Sequence, residues 1–284
     1  MSTLAGKVAF ISGASRGIGR AIALRFAAEG AAVVLCASRI GAHGNLPGSL
    51  EDAVANIRAS GGRAAAQVCD LSDELARSDL IARASEAFGP LDIIVNNAAA
   101  AEMDFPSRIT TAQRNRMYDL NVNVPIELAQ QALPGMRERN RGWILNISSN
   151  TAKQPVVPYP DSEIAAHLIC AYGATKAALN RYTQGLAHEV AVDGIYVNSL
   201  APENIVLTSG GDTVREIARK QPKMAEPVEM MAEAALILCS GCLVGHVAYS
   251  RQLIHSMGLN VKSLDAETVL GDALMPADLE AAPC

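Results

Sequence analysis

The sequence predicts a single α/β domain, a doubly wound parallel sheet with helices on both faces. Short apolar runs alternate with helical segments about six times, which is typical of such a sheet. The runs are nearly continuously apolar, as expected of strands buried on both sides. No shift in composition divides the chain, so we expect one domain over residues 1–258 and a tail of unknown role over 259–284.

The elements follow from apolar runs and from apolar residues at helical spacing. The predicted strands are Val8–Ser12, Val33–Ala37, Ala65–Cys69, Leu91–Asn96, Trp143–Ile147, Tyr196–Ala201 and Leu243–Tyr249. The predicted helices are Ile18–Ala28, Glu51–Ser60, Ser72–Phe88, Ala112–Arg139, Tyr172–Val192 and Val228–Cys239. Pro125 and Pro134 leave open whether the 112–139 segment is one helix or two in series.

Composition argues against several classes of function. The net charge is -5 and no Lys/Arg cluster occurs, so we expect no nucleic-acid partner and no anionic membrane surface. The apolar runs are far shorter than the roughly 20 residues of a membrane span. Six cysteines are too few for a disulfide scaffold in a chain of this length, which favours a reducing, cytoplasmic setting. Cys239-x-x-Cys242 with His246 lacks a fourth ligand, so we expect no metal.

A glycine-rich loop joins the first strand to the first helix. It reads Gly13-Ala14-Ser15-Arg16-Gly17-Ile18-Gly19. Glycines at such a junction let the backbone approach a pyrophosphate, and the N–H groups and dipole of the helix N-terminus stabilise the negative charge. A ligand-free turn is the alternative, but the loop joins the two elements that a dinucleotide site requires. The pattern therefore predicts a Rossmann-type nucleotide site.

The end of the second strand indicates which dinucleotide binds. An acidic residue there usually holds the ribose 2′-hydroxyl of NAD, but here Ser38 and Arg39 follow the strand and the next acid is Glu51. Arg16 and Arg39 are placed to flank a 2′-phosphate, although both can also be solvated surface arginines. The missing acid and the two bases favour NADP(H) over NAD(H).

Two further strand ends carry polar residues. Asp70 follows the third strand, where its carboxylate can hold an adenine amino group or act as a helix N-cap, a role for which Ser72 competes. Asn96-Asn97-Ala98 ends the fourth strand at the same edge. These asparagines can brace the strands or contact the cofactor ribose.

A Tyr–Lys pair supplies the candidate acid/base. Tyr172 and Lys176 are four residues apart, on one face of a predicted helix. A Lys ammonium beside a phenol favours the phenolate, so we expect Lys176 to lower the pKa of Tyr172 toward neutral pH. A chance pair is the alternative, but Tyr172 is the one tyrosine of six with a lysine at this spacing.

Taken together, these motifs resemble the short-chain dehydrogenase/reductase family. The glycine loop, Asn96-Asn97-Ala98, the serines after the fifth strand and the Tyr172–Lys176 pair occur in the family's order, over residues 5–250 or so. The set is specific although each part alone is weak. The Arg39–Leu50 loop, with Leu46-Pro47-Gly48, is also similar to hydroxysteroid dehydrogenase-like proteins, which implies an apolar substrate.

The resemblance implies roles for individual residues. Tyr172 is the proton donor and acceptor, Lys176 holds the nicotinamide ribose, Ser149 rather than Ser148 orients the substrate oxygen, and Asn121 positions a relay water. Asn121 and Asn97 can alternatively be buried structural amides. The implied cofactor-binding residues are Gly13, Ser15, Arg16, Gly17, Ile18, Gly19, Ser38, Arg39, Asp70, Leu71, Asn97, Ala98, Tyr172, Lys176, Pro202 and Ile205.

Three departures from the family pattern stand out. Ala99 replaces the glycine of N-N-A-G, and Glu203 replaces the glycine of P-G after the sixth strand, where its charge can select a polar or cationic substrate. Ser149 and Tyr172 are also unusually far apart, and we expect the extra residues, in Gln154–Cys170, to form a substrate-side loop or lid.

We therefore expect an NADP(H)-dependent oxidoreductase acting on a secondary alcohol or ketone, with an apolar steroid, terpenoid or xenobiotic carbonyl as substrate. A 3-oxoacyl thioester reductase is the alternative within the enzyme class, and a catalytically silent NADP(H)-binding sensor or scaffold is the alternative outside it. The resemblance also implies a homodimer or homotetramer assembled through the two long helices Ala112–Arg139 and Tyr172–Val192.

Overall fold

The computed structural model describes residues 3–42, 47–153, 168–206, 208 and 225–271. The strands are β1 (Val8–Ser12), β2 (Ala32–Ala37), β3 (Arg63–Val68), β4 (Ile93–Asn96), β5 (Gly142–Ile147), β6 (Ile195–Ala201), β7 (Ile205–Val206), β8 (Ala225–Glu226), β9 (Val247–Tyr249), β10 (Val261–Lys262) and β11 (Val269–Gly271). Seven of them form one parallel sheet in the order β3-β2-β1-β4-β5-β6-β9. The predicted doubly wound sheet is confirmed.

Helices cover both faces of this sheet. They are α1 (Gly17–Ala28), α2 (Leu50–Ala59), α3 (Glu74–Arg77), α4 (Leu80–Ser85), α5 (Thr111–Tyr118), α6 (Val124–Arg139), α7 (Cys170–Val190), α8 (Val228–Ser240) and α9 (Ser250–Ser256). One apolar core lies between the sheet and α1, α2 and α8, and a second lies between the sheet and α4, α6 and α7. Because β1 pairs with both β2 and β4, the chain reverses its winding at β1, and ligands bind at the carboxyl side of such a switch point.

The predicted helix Ser72–Phe88 is wrong as a single element, since the segment forms the two short helices α3 and α4. The Asp73 side chain caps α3 by accepting from Leu75 N at 3.0 Å and Ala76 N at 3.1 Å. Neither Asp70 nor Ser72 is therefore the N-cap. The break between the two helices falls at Ser78–Asp79, where the Gln131 side chain of α6 donates to Arg77 O at 2.9 Å and accepts from Ile81 N at 3.1 Å.

Two other boundaries differ for physical reasons. The predicted helix Ala112–Arg139 consists of α5 and α6 joined by a π-helical turn, Asp119–Asn123. This turn ends just before Pro125, which has no N–H to continue a regular α-helical ladder. The predicted strand Leu243–Tyr249 is too long. The Asn198 side chain donates to Leu243 O at 2.7 Å and accepts from His246 N at 2.9 Å, so these backbone groups are paired outside the ladder.

Residues 259–271, in the predicted tail, form an antiparallel pair of strands, β10 and β11. Val261 is buried in the α1/α8 core, and Lys262 N donates to Glu233 Oε2 at 3.1 Å. The domain boundary at residue 258 stays a prediction, but this part of the tail packs on the domain. None of the helices in the described ranges is long and apolar enough to cross a membrane.

A buried ion cluster joins α1 to α8 beneath β10. Arg25 is 1% exposed, and its guanidinium contacts Glu233 Oε2 at 2.6 Å and Glu29 Oε1 at 3.1 Å. Since Glu233 also accepts from Lys262 N, one carboxylate connects three elements.

A hydrogen-bonded clamp joins the glycine loop to the end of β4. Ser12 Oγ accepts from Asn97 N at 2.9 Å and Ala98 N at 3.1 Å, and donates to Val95 O at 3.4 Å. Asn97 Nδ2 in turn donates to Ser12 O at 2.9 Å and Gly13 O at 3.1 Å. The amide fills the space that two glycines leave open, because a Cβ at Gly13 or Gly19 would lie 2.9 or 2.5 Å from Asn97 Nδ2.

We predict that Arg25→Ala lowers the free energy of unfolding by about 3–5 kcal/mol, because Glu29 and Glu233 then stay buried without their counter-charge. Urea unfolding measures this loss. Arg116→Ala, which removes an exposed arginine paired with Glu102, is the control and should give a much smaller loss. An equal loss of unfolding free energy in the two variants would show that the buried ion cluster stabilises the fold no more than an exposed pair.

We predict that Gly19→Ala destabilises the fold by about 1–3 kcal/mol, although alanine is ordinarily the better residue within a helix. The new methyl group would lie 2.5 Å from Asn97 Nδ2 and 2.6 Å from Gly13 O, so the clamp must open. Gly41→Ala is the control, since its Cβ meets no atom within 4 Å. A Gly19→Ala protein as stable as the parent in urea would show that the clamp is not tight.

Candidate active site

The predicted cofactor residues lie together at the carboxyl ends of neighbouring strands. The glycine loop follows β1, Ser38 and Arg39 follow β2, Asp70 and Leu71 follow β3, Asn97 and Ala98 follow β4, and Pro202 and Ile205 follow β6. Ala99 needs no positive φ, so the position works without the family's usual glycine. The sheet order thus brings residues that are far apart in sequence to one edge.

The glycine loop has the backbone of an anion site. Gly13 and Gly17 have φ values of +63° and +58°, which residues with a Cβ rarely adopt. Arg16 is the N-cap of α1, and arginine has no acceptor with which to cap the first-turn N–H groups. Ser15 and Arg16 lie close to Gly48, in the loop between β2 and α2. A Cβ at Gly48 would be 3.0 Å from Ser15 O and 3.3 Å from Arg16 Cβ. Ile18 packs against the α1/α8 core and orients the helix start.

Asp70 is an exposed carboxylate held in a tight turn. Its Oδ1 accepts from Ser72 N at 3.0 Å and Ser72 Oγ at 2.7 Å, and these bonds lower its pKa. Arg116 and Arg39 lower this pKa further through their positive fields. Sequence reasoning missed Arg116, because only folding brings α5 beside the β2 and β3 ends.

A second missed residue, Arg77, lies beneath the same turn. Its Nη1 donates to Leu71 O at 2.7 Å, and its guanidinium pairs with both oxygens of Asp119 and of Glu127. Arg77 is 3% exposed, and Asp119 opens the π turn that carries Asn121. One buried arginine therefore connects the Asp70–Leu71 turn to that π turn.

Asn121 is fully buried and acts as a brace. Its Oδ1 accepts from Ala100 N at 2.8 Å, and its Nδ2 donates to Ala100 O at 2.8 Å and Thr175 Oγ1 at 2.9 Å. Thr175 Oγ1 donates to Tyr172 O at 2.7 Å. The side chain of Asn121 thus fixes the start of α7, on which Tyr172 lies.

Ser149, Tyr172 and Lys176 converge at the end of β5. Ser149 Oγ accepts from Thr151 N at 3.2 Å and Thr151 Oγ1 at 2.9 Å, and the Ser149 side chain is hydrogen-bonded to the Tyr172 hydroxyl. Lys176 Nζ donates to Ile147 O at 2.8 Å and lies 5.8 Å from the centre of the Tyr172 ring. Gly173 allows α7 to lie close to the turn that follows Ser149, because a Cβ at this position would collide with Thr151 O.

Burial controls the pKa values of this group. Burial raises the pKa of Tyr172 to about 12, against the lowering effect of its hydrogen bond to Ser149, and burial lowers the pKa of Lys176 to about 8. The expectation that Lys176 lowers the pKa of Tyr172 is therefore wrong for this geometry. Tyr172 is a neutral phenol near pH 7, and Lys176 changes charge only slightly above it.

Several other sequence predictions have simple outcomes. Ser148 Oγ is buried and has no hydrogen-bond partner among the described residues, whereas Ser149 contacts Tyr172. Residues 154–167 of the predicted substrate-side loop lie outside the described residues. Cys239 is buried in α8, and within the ranges that the structure describes no three His, Cys, Asp or Glu side chains could hold a metal together.

Comparison with known proteins identifies the family. The family model described as short chain dehydrogenase matches residues 7–218. Among curated proteins, hydroxysteroid dehydrogenase-like protein 2 of Bos taurus is 34% identical over 237 residues, which cover 82% of this chain and 53% of that protein. The Homo sapiens protein is 33% identical over the same shares. The chain thus spans about half the length of the curated relatives it matches.

Solved structures agree with this assignment. A 3-oxoacyl (acyl-carrier-protein) reductase from Agrobacterium tumefaciens C58 with NADP bound is 32% identical, with a TM-score of 0.72 over 87% of this chain and 93% of that one. A 7α-hydroxysteroid dehydrogenase complexed with NADH and 7-oxo glycochenodeoxycholic acid is 30% identical, with a TM-score of 0.74 over the same shares. With the Tyr172–Lys176 pair at the carboxyl edge of the sheet, these matches show that the chain belongs to the short-chain dehydrogenase/reductase family of oxidoreductases.

Proposed function

We propose that this chain is an NADP(H)-dependent reductase or dehydrogenase that transfers hydride between nicotinamide and a ketone or secondary alcohol. The observation that carries the proposal is the hydrogen-bonded group of Ser149 and Tyr172 beside Lys176, with Asn121 bracing the helix that holds them. A catalytically silent sensor or scaffold needs no such group.

The described residues fit a dinucleotide at this edge. The positive φ values of Gly13 and Gly17 and the helix start at Arg16 form a cradle for a pyrophosphate. Ser38, Asp70 and Leu71 lie on the adenine side of that cradle, and Pro202 and Ile205 lie on the nicotinamide side. Bound nicotinamide supplies the hydride acceptor or donor, and the protein supplies orientation and a proton.

The proton chemistry follows from the pKa values. Tyr172, with a pKa of about 12, is a phenol at neutral pH and donates its proton to the oxygen of a carbonyl as that carbonyl is reduced. Ser149 holds the same oxygen by a hydrogen bond. Lys176, protonated below about pH 8, would bind ribose hydroxyls of the dinucleotide. The neutral phenol of Tyr172 is the form that carbonyl reduction requires at neutral pH.

We infer that NADP(H) is preferred over NAD(H). Arg39 is exposed two residues after β2, and Arg16 is the N-cap of α1, so both lie at the carboxyl edge of the sheet, where guanidinium groups pair well with a 2′-phosphate. Several of the similar solved structures hold NADP, although one holds NADH. The charge of the site therefore supports the preference more strongly than the relatives do.

An apolar carbonyl compound is our proposed substrate class, supported by the similarity to hydroxysteroid dehydrogenase-like protein 2 and to a 7α-hydroxysteroid dehydrogenase. Reduction of a 3-oxoacyl thioester is the second candidate, favoured by the likeness to the Agrobacterium tumefaciens reductase. The replacement of the family's P-G pattern by Pro202-Glu203 and the long interval between Ser149 and Tyr172 argue against this second substrate.

Assembly into a homodimer or homotetramer is also part of the proposal. The long helices α6 and α7 border an open cleft of about 660 Å³. Leu133, Pro134, Tyr182 and Leu186 line it beside Arg137 and Glu189, a mixture of apolar and charged side chains that suits contact between copies.

The five described cysteines are all unpaired, which supports the proposed reducing, cytoplasmic setting.

Turnover of a carbonyl panel with each cofactor tests the proposed function. We predict oxidation of NADPH with steroid, terpenoid or aromatic ketones, a weaker rate with NADH, and at least about a 100-fold loss of kcat in Tyr172→Phe, because general acid catalysis is worth about 10²–10⁴-fold. Preference for NADH would refute the arginine argument. Equal turnover by Tyr172→Phe would refute the mechanism.

The pKa of Lys176 predicts a pH profile. The value of kcat/KM for NADPH should fall as pH rises through about 8, because this ratio reports the free enzyme, in which Lys176 loses its charge there. Lys176→Arg keeps the charge above pH 8, so the fall should disappear even if the overall rate is lower. A fall near pH 8 that persists in Lys176→Arg would assign it to another group.

A further inference from the structure

The segment after β6 is held by a buried carboxylate that belongs to another strand. Glu226, in β8, is 1% exposed. Its Oε2 accepts from Glu203 N at 3.2 Å and Asn204 N at 3.1 Å, and its Oε1 accepts from Ser250 Oγ at 2.6 Å. Glu226 thus pairs the backbone N–H groups at the position where the family's P-G pattern is replaced by Pro202-Glu203.

These bonds offset part of the cost of an unfavourable location. Burial raises the pKa of Glu226, and a buried carboxylate is tolerated only where several donors surround it. The hydrogen bonds from Ser250 and the two backbone N–H groups, with the positive field of Arg251, lower this pKa part of the way back. Main-chain pairing of β7 with β8, Val206 with Glu226, fixes the same segment a second time.

The opposite side of the segment is held by the serine turn. Asn150 Nδ2 donates to Glu203 O at 2.9 Å, and Asn150 directly follows Ser149. The backbone of residue 203 is therefore fixed at its N–H by Glu226 and at its C=O by Asn150. Both contacts lie between Pro202 and Ile205, the two proposed nicotinamide-side residues.

We propose that Glu226 is a positioning residue that sets the Pro202–Ile205 segment against the nicotinamide half of the cofactor, acting through the N–H groups of residues 203 and 204. The inference rests on the proposed function, since it assumes that a nicotinamide dinucleotide binds at this edge. Glu226 contacts neither substrate nor cofactor in this account. Its effect is limited to one half of the binding site, because the adenine side is built on β2 and β3.

Calorimetric titration with two probes tests the positioning role of Glu226. NADPH reports the whole site, and adenosine 2′,5′-bisphosphate reports the adenine side alone. Glu226→Leu should raise the Kd of NADPH about tenfold, because the Pro202–Ile205 segment would then occupy its binding position in only about a tenth of the molecules, and should leave the Kd of the bisphosphate unchanged. Glu226→Gln should recover most of the NADPH affinity, because its amide oxygen can accept from both N–H groups while its NH₂ donates to Ser250 Oγ.

Glu229→Leu is the control, since it removes a carboxylate three residues along the chain, in the first turn of α8. It should bind both probes as the parent does. The inference fails if Glu226→Leu binds NADPH with parental affinity, if it weakens both probes equally, or if Glu226→Gln is as weak as Glu226→Leu. If the parent protein binds neither probe, the proposed function itself fails, so the two failures are distinct.

Discussion

The whole site depends on the clamp between Ser12 and Asn97. The hydroxyl of Ser12 uses its donor and both of its acceptor positions on the end of β4, and the Asn97 amide returns two hydrogen bonds to the loop after β1. These bonds lie at the switch point of the sheet, where the chain leaves β1 and β4 in opposite directions and a crevice opens beyond the strand ends. The side chains of the clamp form the floor of this crevice.

A second set of buried polar contacts positions Tyr172, the proposed proton donor. The Asn121 side chain is hydrogen-bonded to the backbone of Ala100 and to the hydroxyl of Thr175. That hydroxyl donates to the carbonyl of Tyr172 in the first turn of α7, and Lys176 Nζ donates to the carbonyl of Ile147 at the end of β5. These partners are internal, so the geometry of Tyr172 is set before any ligand binds. Such preorganisation lowers the cost of bringing a proton donor to a reacting oxygen.

Sequence patterns predicted the sheet, because most of its strands are nearly continuous apolar runs, although the edge strand β3 is only partly buried. They also predicted the motifs at the strand ends. They did not predict Arg77, Arg116 or Glu226, because the partners of these residues are distant in sequence and meet only in the fold. The direction of the Tyr172 pKa was also missed, since Y-x-x-x-K spacing shows the lysine but not how deeply the phenol is buried. The two short helices α3 and α4 were predicted as one because a residue distant in sequence holds the break between them: Gln131 in α6 donates to Arg77 O and accepts from Ile81 N.

We propose that the clamped carboxyl edge is a nucleotide cradle. Hydrogen exchange of the full chain, measured by mass spectrometry with and without NADP⁺, tests this proposal. We expect slower exchange in peptides covering residues 13–19, 37–39 and 70–71, with exchange in α8 unchanged. Unchanged exchange at the glycine loop under saturating NADP⁺, or protection confined to the α6–α7 surface, would contradict it.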